Sequence, residues 1–564
     1  MYEFFDLVQN IIDAETPLKA YSDDEIEKIK GVYGSLIEKG CIAECGFFLY
    51  ENPDSAFAVF EGDALRDFLI DILHALHECL QYTQDAHLDE IMNHSIVMNK
   101  VLRILISYRM SGIIVIDDNL LAEIVLNCNQ IFQDATRILI SGKPIKFAWQ
   151  SLDEFCNHLN ENEIFVQYLC FPSTIGRELY LGQLEYSGFS LIKKNGRAEI
   201  KWYKKVNVLK ARTLFLIMSA FLRSNADSNR KQVAQDLLNC GYDDSSKQLY
   251  NLFLKDIMNV IDCEKTDTII FSGDMDLYAF PIDLLVYENI GNRSRISSII
   301  YTDSIRFRDT CKYGEKISIT SPLFIGNPKY NMKDGAANAL APLPLSRIEV
   351  SELANMYGVR PWMKEEAEKE LLFSEQYDAL HIATHGILFD TDEETSYFDA
   401  ACLFFSGVDI TENDGMCRGI LTAADVLGIR QRDLKLVTLS ACHSGFGNVQ
   451  YGMGMVGMPL AFKAIGSQNV VVSLWETDDF ATAIFMKEFY QCLITMPISE
   501  ALRKSKDYIK RVTVRQLIED GWQDDRLVRK MGIAADAVKK MLSQSEDTVL
   551  FREPKYWAGF VVYQ

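Results

Sequence analysis

Two short segments in the C-terminal half of the chain carry residue types capable of covalent chemistry. Leu380-His381-Ile382-Ala383-Thr384-His385-Gly386 is an apolar run that ends at a histidine followed by glycine. Val437-Thr438-Leu439-Ser440-Ala441-Cys442-His443-Ser444-Gly445 ends in the same way at a cysteine. A cysteine thiolate is a strong nucleophile, and a histidine from a separate part of the chain can serve as its acid/base partner. A lone cysteine among thirteen is more often a buried thiol than a catalyst. The pairing argues otherwise: each residue stands at the abrupt end of a strand-like run, and glycine follows both.

The surroundings refine the roles. Ser444-Gly445-Phe446-Gly447 allows a tight turn and close approach of a peptide backbone after Cys442. The turn is expected to lead into a helix over roughly 455–464, whose dipole would favour the thiolate. Backbone N–H groups of Gly386 and Cys442 are candidates to hold a tetrahedral oxyanion. His381 lies inside its apolar run and is the weaker partner candidate. His443 adjoins the cysteine, and adjacent side chains diverge. Downstream, Val470-Val471-Val472-Ser473-Leu474-Trp475 is another strand-like run, followed by Glu476-Thr477-Asp478-Asp479. Asp478 and Asp479 are candidates to bind an Arg or Lys side chain of a substrate, or to cap the helical pattern that starts at Phe480.

The elements that must position these residues follow from periodicity. Residues 1–150 read as an α-helical regulatory or interaction domain, with Leu65, Phe68, Leu69, Ile72, Leu73 and Leu76 at helical spacing. His74, His77 and Cys79 share one of these helices, but their faces do not converge as metal ligands would, so no metal is expected. Residues 151–265 carry short extended runs and then helical patterns around 208–223 and 246–261. From 266 to 564, apolar runs alternate with helices: 268–271, 323–325, 379–383, 401–405, 436–439, 470–474 and 559–563. Runs rich in Val, Ile, Leu and Phe separated by helices predict an α/β fold with a largely parallel sheet flanked by helices. Such sheets hold their active sites at the C-terminal edge of the strands. Polar stretches at 390–396 and 407–418 read as loops above that edge.

Composition bounds the answer further. At 564 residues the chain accommodates several domains. The net charge of −22 argues against direct nucleic-acid binding. No apolar stretch reaches the length of a membrane span, no signal peptide is evident at Met1-Tyr2-Glu3-Phe4-Phe5-Asp6, and the cysteines are unevenly spaced. A cytoplasmic protein with reduced thiols, no cofactor and no membrane association is expected.

Several motifs occur in a recognisable order: Phe271-Ser272-Gly273-Asp274, Phe280-Pro281, Gly326-Asn327-Pro328, Ala383-Thr384-His385-Gly386, Leu439-Ser440-Ala441-Cys442, Ala461-Phe462-Lys463-Ala464-Ile465-Gly466, Ser473-Leu474-Trp475 with Asp478-Asp479, and Tyr556-Trp557-Ala558-Gly559-Phe560. Over roughly 160–564 this order resembles the CHAT-domain family of caspase-like cysteine peptidases related to separase. The spacing 442 − 385 = 57 is close to the roughly 50 residues that separate the two catalytic residues in caspases. The resemblance implies a caspase-like fold, a His385/Cys442 dyad, and acidic residues after Trp475 that receive the residue before the scissile bond. Relatives often carry an acid after the cysteine, where this chain has His443.

The expected function is therefore a regulated cysteine endopeptidase that cleaves a protein substrate after a basic residue. It would be activated through its N-terminal region or a protein partner, in bacterial defence or programmed cell death. The competing reading is a catalytically inactive caspase-like scaffold or signalling adaptor. A nucleotide-binding α/β protein is disfavoured, because no Gly-x-Gly-x-x-Gly follows a strand and no Gly-Lys-Ser/Thr loop is present.

Overall fold

The computed structural model describes residues 22–53, 55–82, 88–141, 148–172, 184–222, 242–264, 266–274, 277–278, 280–290, 296–302, 316–330, 342–388, 401–407, 419–431, 433–441, 447–450 and 454–564. The N-terminal region is helical, as its periodicity predicts: α1 (Asp23–Glu38), α2 (Ile42–Glu51), α3 (Gly62–Tyr82), α4 (Leu88–Met110) and α5 (Asp118–Ser141). Ser22 starts α1 with a reciprocal capping box to Glu25, which satisfies donors that the first turn leaves open. His74 and His77 of α3 both pack on the Trp149 ring, at 4.2 and 5.2 Å between centroids. They are packing residues.

The strands follow: β1 (Glu163–Pro172), β2 (Leu184–Lys194), β3 (Arg197–Trp202), β4 (Val206–Asn207), β5 (Thr268–Ser272), β6 (Ser298–Tyr301), β7 (Pro322–Pro328), β8 (Trp362–Lys364) and β9 (Ala379–Ala383). Then come β10 (Gly386–Leu388), β11 (Ala401–Phe404), β12 (Ile420–Thr422), β13 (Leu436–Ser440), β14 (Gly447–Gln450), β15 (Gly454–Gly457), β16 (Val470–Ser473) and β17 (Phe560–Tyr563). Among the described residues one 12-stranded sheet runs β3-β2-β1-β5-β6-β17-β16-β13-β9-β7-β8, with β4 pairing β2.

The sheet is largely parallel but has two directions. The strands β1, β5, β6 and β17 run parallel to one another. A second parallel block holds β16, β13, β9, β7 and β8. The blocks meet where β17 pairs antiparallel with β16, Val470 opposite Tyr563. The C-terminal edge of the second block is thus the N-terminal edge of the first. Period-2 and all-apolar patterns set burial, not direction, so this seam is invisible in the run of hydrophobic residues.

Strand β1 is buried along its whole length and reads as a largely apolar run, broken by Gln167. Its Phe165, Leu169 and Phe171 pack in the core of the N-terminal helices, while Ile164, Val166 and Tyr168 face the core on the other side. The helical region is fastened to the sheet by polar bonds as well. Arg103 of α4 forms a buried ion pair with Asp274, just after β5, at 2.7 Å, and also donates to the Cys170 carbonyl. The neighbouring Ser107 donates to Pro172 at 2.6 Å.

The helix over 208–223 appears as α6 (Val208–Leu222). Helix α7 (Pro344–Tyr357) begins with proline in its first turn and stops at Gly358, whose φ of 67° is a left-handed cap. It lies tight on β7 because Gly326 has no side chain: a Cβ there would come within 2.7 Å of Val350. Three sequence expectations need correction. The run at 401–405 becomes β11 of a separate three-stranded antiparallel sheet, β10-β11-β12, outside the large one. The helix expected from 455 begins at Met458 as α8 (Met458–Ala464), with the antiparallel hairpin β14-β15 ahead of it. Glycines at 447, 454 and 457 suit extended backbone better than helix, and Pro459 fits only a first turn. The cysteine turn therefore does not run straight into a helix N-terminus. The loop stretches 390–396 and 408–418 lie outside the described residues.

Candidate active site

The adjacent strands β9, β13 and β16 build the edge that matters. In the parallel ladder Ala383 sits opposite Ser440, and Leu439 opposite Val472. His385 follows Ala383 by two residues, and Cys442 follows Ser440 by two. Cys442 itself, with 443–446, lies outside the described residues. The last described residue before it, Ala441, is buried.

His385 is half-buried, and its ring lies 5.6 Å from that of Tyr330, tilted by 44°. The Tyr330 hydroxyl meets Thr384 Oγ1 at 2.9 Å, and Thr384 donates in turn to the Phe404 carbonyl. Burial pushes the Tyr330 phenol up to about 12, so it keeps its proton at neutral pH. The His385 backbone is fixed too, because its carbonyl accepts from Phe404 N at 3.1 Å. That bond makes Gly386 and Leu403 a non-hydrogen-bonded pair in the β10-β11 ladder, so the Gly386 N–H points away from β11. β11 continues toward Ala367 and Lys329, which follow β8 and β7, through Ser406 and Gly407. Among the described residues the unpaired edge of β10 at Gly386 is therefore the opposite one, on the β13 side.

His381 is a different kind of histidine. It is fully buried, with Nε2 2.8 Å from Glu349 Oε1 of α7, and it packs against Phe324 and Tyr490. It belongs to the core beneath the site.

The two aspartates stand in different surroundings. Asp478 caps α9 (Asp479–Leu493), its Oδ1 accepting from Phe480 N at 3.0 Å and Ala481 N at 2.9 Å. Asp479, the first residue of that helix, is exposed. Its pKa is nevertheless pushed up to about 6: surrounding protein displaces water from the carboxylate, and Asp478, Glu349 and Glu476 add negative charge nearby. Because water still reaches it, screening trims the effect. The segment leading to these acids is wedged in place. Trp475 Nε1 donates to the Lys555 carbonyl at 3.1 Å, and a Cβ on Gly559 would come within 3.1 Å of Thr477 and 3.2 Å of the Trp475 ring.

Tyr330, Thr384 and Glu349 escaped the sequence reading. Tyr330 follows the Gly326-Asn327-Pro328 strand end by two residues, a position as telling as that of His385. Glu349 is a carboxylate between Ile348 and Val350 on a helix, and only its core-facing place among apolar neighbours could have marked it. Among the described residues no cluster of His, Cys, Asp and Glu could hold a metal ion, and no helix is long and apolar enough to cross a membrane.

Among known proteins, tetratricopeptide repeat protein 28 of Mus musculus is 27% identical over 201 residues, covering 31% of this chain and 8% of that protein. The Homo sapiens protein of the same name is 27% identical over 197 residues, 30% of this chain and again 8% of its own length. The chain thus matches a small part of these much longer relatives. Separase in the Saccharomyces cerevisiae separase–securin complex superposes loosely, with a TM-score of 0.42 and 11% identity, over 100% of this chain and 42% of that one. The Arg-specific cysteine proteinase gingipain R aligns over 63% of this chain and 73% of its own, with a TM-score of 0.28 and 11% identity. The CHAT domain model matches residues 243–564. That match takes in more than half of the sequence and every strand of the edge described above, and the chain belongs to the CHAT domain family.

Proposed function

We propose that the protein is a cysteine endopeptidase that cleaves polypeptides after a basic residue, with Cys442 as nucleophile and His385 as its acid/base partner. One observation carries this reading: Ala383 and Ser440 are direct partners in adjacent parallel strands, and His385 and Cys442 each follow two residues later. Neighbouring strands lie about 4.8 Å apart, and two residues reach at most about 7 Å. In this reading the two residues start from neighbouring ladder positions and are close enough to meet.

In this reading His385 takes the thiol proton, and the thiolate attacks the scissile carbonyl carbon. The oxyanion forms against the N–H groups of Gly386 and Cys442; the β10 edge supports the first, since that N–H is not spent on β11. His385 then returns the proton to the leaving amine, and water hydrolyses the thioester. Tyr330 and the Phe404 bond hold the His385 segment in place. Asp479 receives the substrate guanidinium in a charge-assisted pair, and Asp478 holds the helix start that presents it. Control rests with the N-terminal helices or a protein partner, in a setting such as bacterial defence or programmed cell death. The shared core of α4 with β1 and the Arg103–Asp274 pair give those helices a mechanical hold on the sheet.

A peptide library assayed with the purified protein, alone and with candidate partners, tests the reading. Cleavage after Arg, lost in both Cys442→Ala and His385→Ala, is the expected result. A folded Cys442→Ala protein that still cleaves overturns it. No cleavage under any condition favours the scaffold alternative.

A further inference from the structure

The chain is strongly acidic overall, yet the helix α10 (Ile498–Arg511) gathers cations on one side of a cavity of about 300 Å³. The cavity lies against β6 and β17, in the other half of the sheet from the candidate active site. Arg503, Lys506, Lys510 and Arg511 line it, against two acids, Asp283 and Asp507. The ion pairs do not use up this charge. Lys506 bonds Asp283, while Lys510 and Arg503 share Asp507, each at 3.4 Å. Four cations against two carboxylates leave an excess of two positive charges in a partly enclosed space. No ion pair joins Arg511 to an acid among the described residues.

The walls add shape and directional groups. Tyr287 and Trp557 meet edge to face at 5.4 Å, and the Lys510 ammonium lies 3.4 Å and 3.9 Å from their ring centroids. Burial pulls the Lys510 pKa down to about 8, although Asp507 and Asp283 act to raise it. Ser298 and Asp283 are lining residues, and their Oγ and Oδ1 atoms are buried with no hydrogen-bond partner among the described residues. A lone hydroxyl can donate to an anion, and a lone carboxylate oxygen can accept from an N–H or O–H.

We propose that this cavity binds a phosphorylated small molecule, with its phosphate among Lys510, Arg503 and Arg511 and its organic part along Tyr287. Converging Lys and Arg side chains match a multiply charged, many-oxygen anion better than a single carboxylate. The volume is at the lower end for small-molecule sites and exceeds what a bare phosphate needs, which calls for an attached sugar or ring. The cavity lining reaches Trp557, close in sequence to a residue packed on the segment before Asp478. Trp557 is two residues from Gly559, and Gly559 packs on Trp475 and Thr477 just before Asp478.

Isothermal titration calorimetry of the full chain with AMP, inorganic phosphate and a short oligo-Glu peptide tests this. AMP should bind more tightly than inorganic phosphate. Arg511→Gln, on an exposed residue, should weaken AMP binding by about tenfold while the melting temperature is kept, and Lys510→Gln should weaken it more. Arg515→Gln removes an exposed cation paired with Glu546 and Asp547 outside the cavity, and should leave binding unchanged. Absence of binding at millimolar AMP overturns the proposal. So does an equal loss in Arg515→Gln, or binding of the acidic peptide alone. Because the readout is binding, the result stands apart from whether the protein cleaves peptides.

Discussion

Asp479→Asn should uncouple substrate choice from folding. A guanidinium brought to Asp479 loses much of its water, and with Asn in place it meets a neutral amide. Removing one partner of a fully buried, hydrogen-bonded charge pair costs about 3–5 kcal/mol. Asp479 is exposed before substrate arrives, so the cost falls below that range, about 2–3 kcal/mol. At 1.36 kcal/mol per tenfold, that is a fall of roughly 30- to 150-fold in kcat/KM for a substrate with Arg before the scissile bond. Cleavage of a weak substrate with a neutral residue there should change far less. Stability should move the other way. In the native protein Asp479 has its pKa raised to about 6, above the ordinary aspartate value, so the folded state binds more protons between about 4 and 6. Stability conferred by this group therefore falls as pH rises through that window and stays low above it. Asn carries no such penalty, so Asp479→Asn should melt no lower than the parent at pH 7.5, and its advantage should vanish near pH 4. The assay is kcat/KM for matched Arg and neutral peptides, with thermal melts at both pH values. An Arg rate within threefold of the parent, or a destabilised protein at pH 7.5, would refute the assignment of Asp479 to substrate binding.

Other outcomes follow from the same geometry. Asp478→Ala should lose the helix cap and about 0.5–2 kcal/mol of stability by denaturant titration, whereas Asp478→Asn, an equally good cap, should lose little. Glu349→Gln removes a negative charge that raises the Asp479 pKa, so the low-pH limb of Arg cleavage should shift to lower pH; an unmoved or upward-shifted limb contradicts that coupling. Arg103→Met leaves Asp274 buried without its ion-pair partner and should cost about 3–5 kcal/mol by denaturant titration, with the double variant Arg103→Met/Asp274→Asn recovering part of the loss.

Much of this site was legible because local sequence and strand geometry agree. The runs ending at Ala383, Ser440 and Ser473 are mostly apolar and almost wholly buried, as parallel strands demand, and each ends where small or polar residues take over. Their adjacency was not legible, since the order β9-β13-β16 is decided by crossover helices and long-range packing. The reversal between β17 and β16 was hidden for the same reason: burial is alike on both sides of the seam. The end of β15 was read as the start of a helix because Met455 and Val456 extend the apolar pattern of 458–464, and only the glycines argue otherwise. Asp478 and Asp479 were indistinguishable by type; the choice rests on which carboxylate turns back to the N–H groups of Phe480 and Ala481. Glu349 comes from helix α7, where no local pattern links it to the site; Tyr330 stands two residues past the end of β7, a signal the motif reading passed over.

The dyad is the claim on which the rest depends, and labelling tests it directly. The protein is treated with a peptidyl-arginine chloromethyl ketone, with and without candidate activating partners, and the modified residue is mapped by mass spectrometry. A single adduct on Cys442, slowed strongly by His385→Ala and blocked by an Arg-containing competitor peptide, is the predicted result. Adducts spread over accessible thiols such as Cys41, indifferent to His385→Ala and to the competitor, would contradict it.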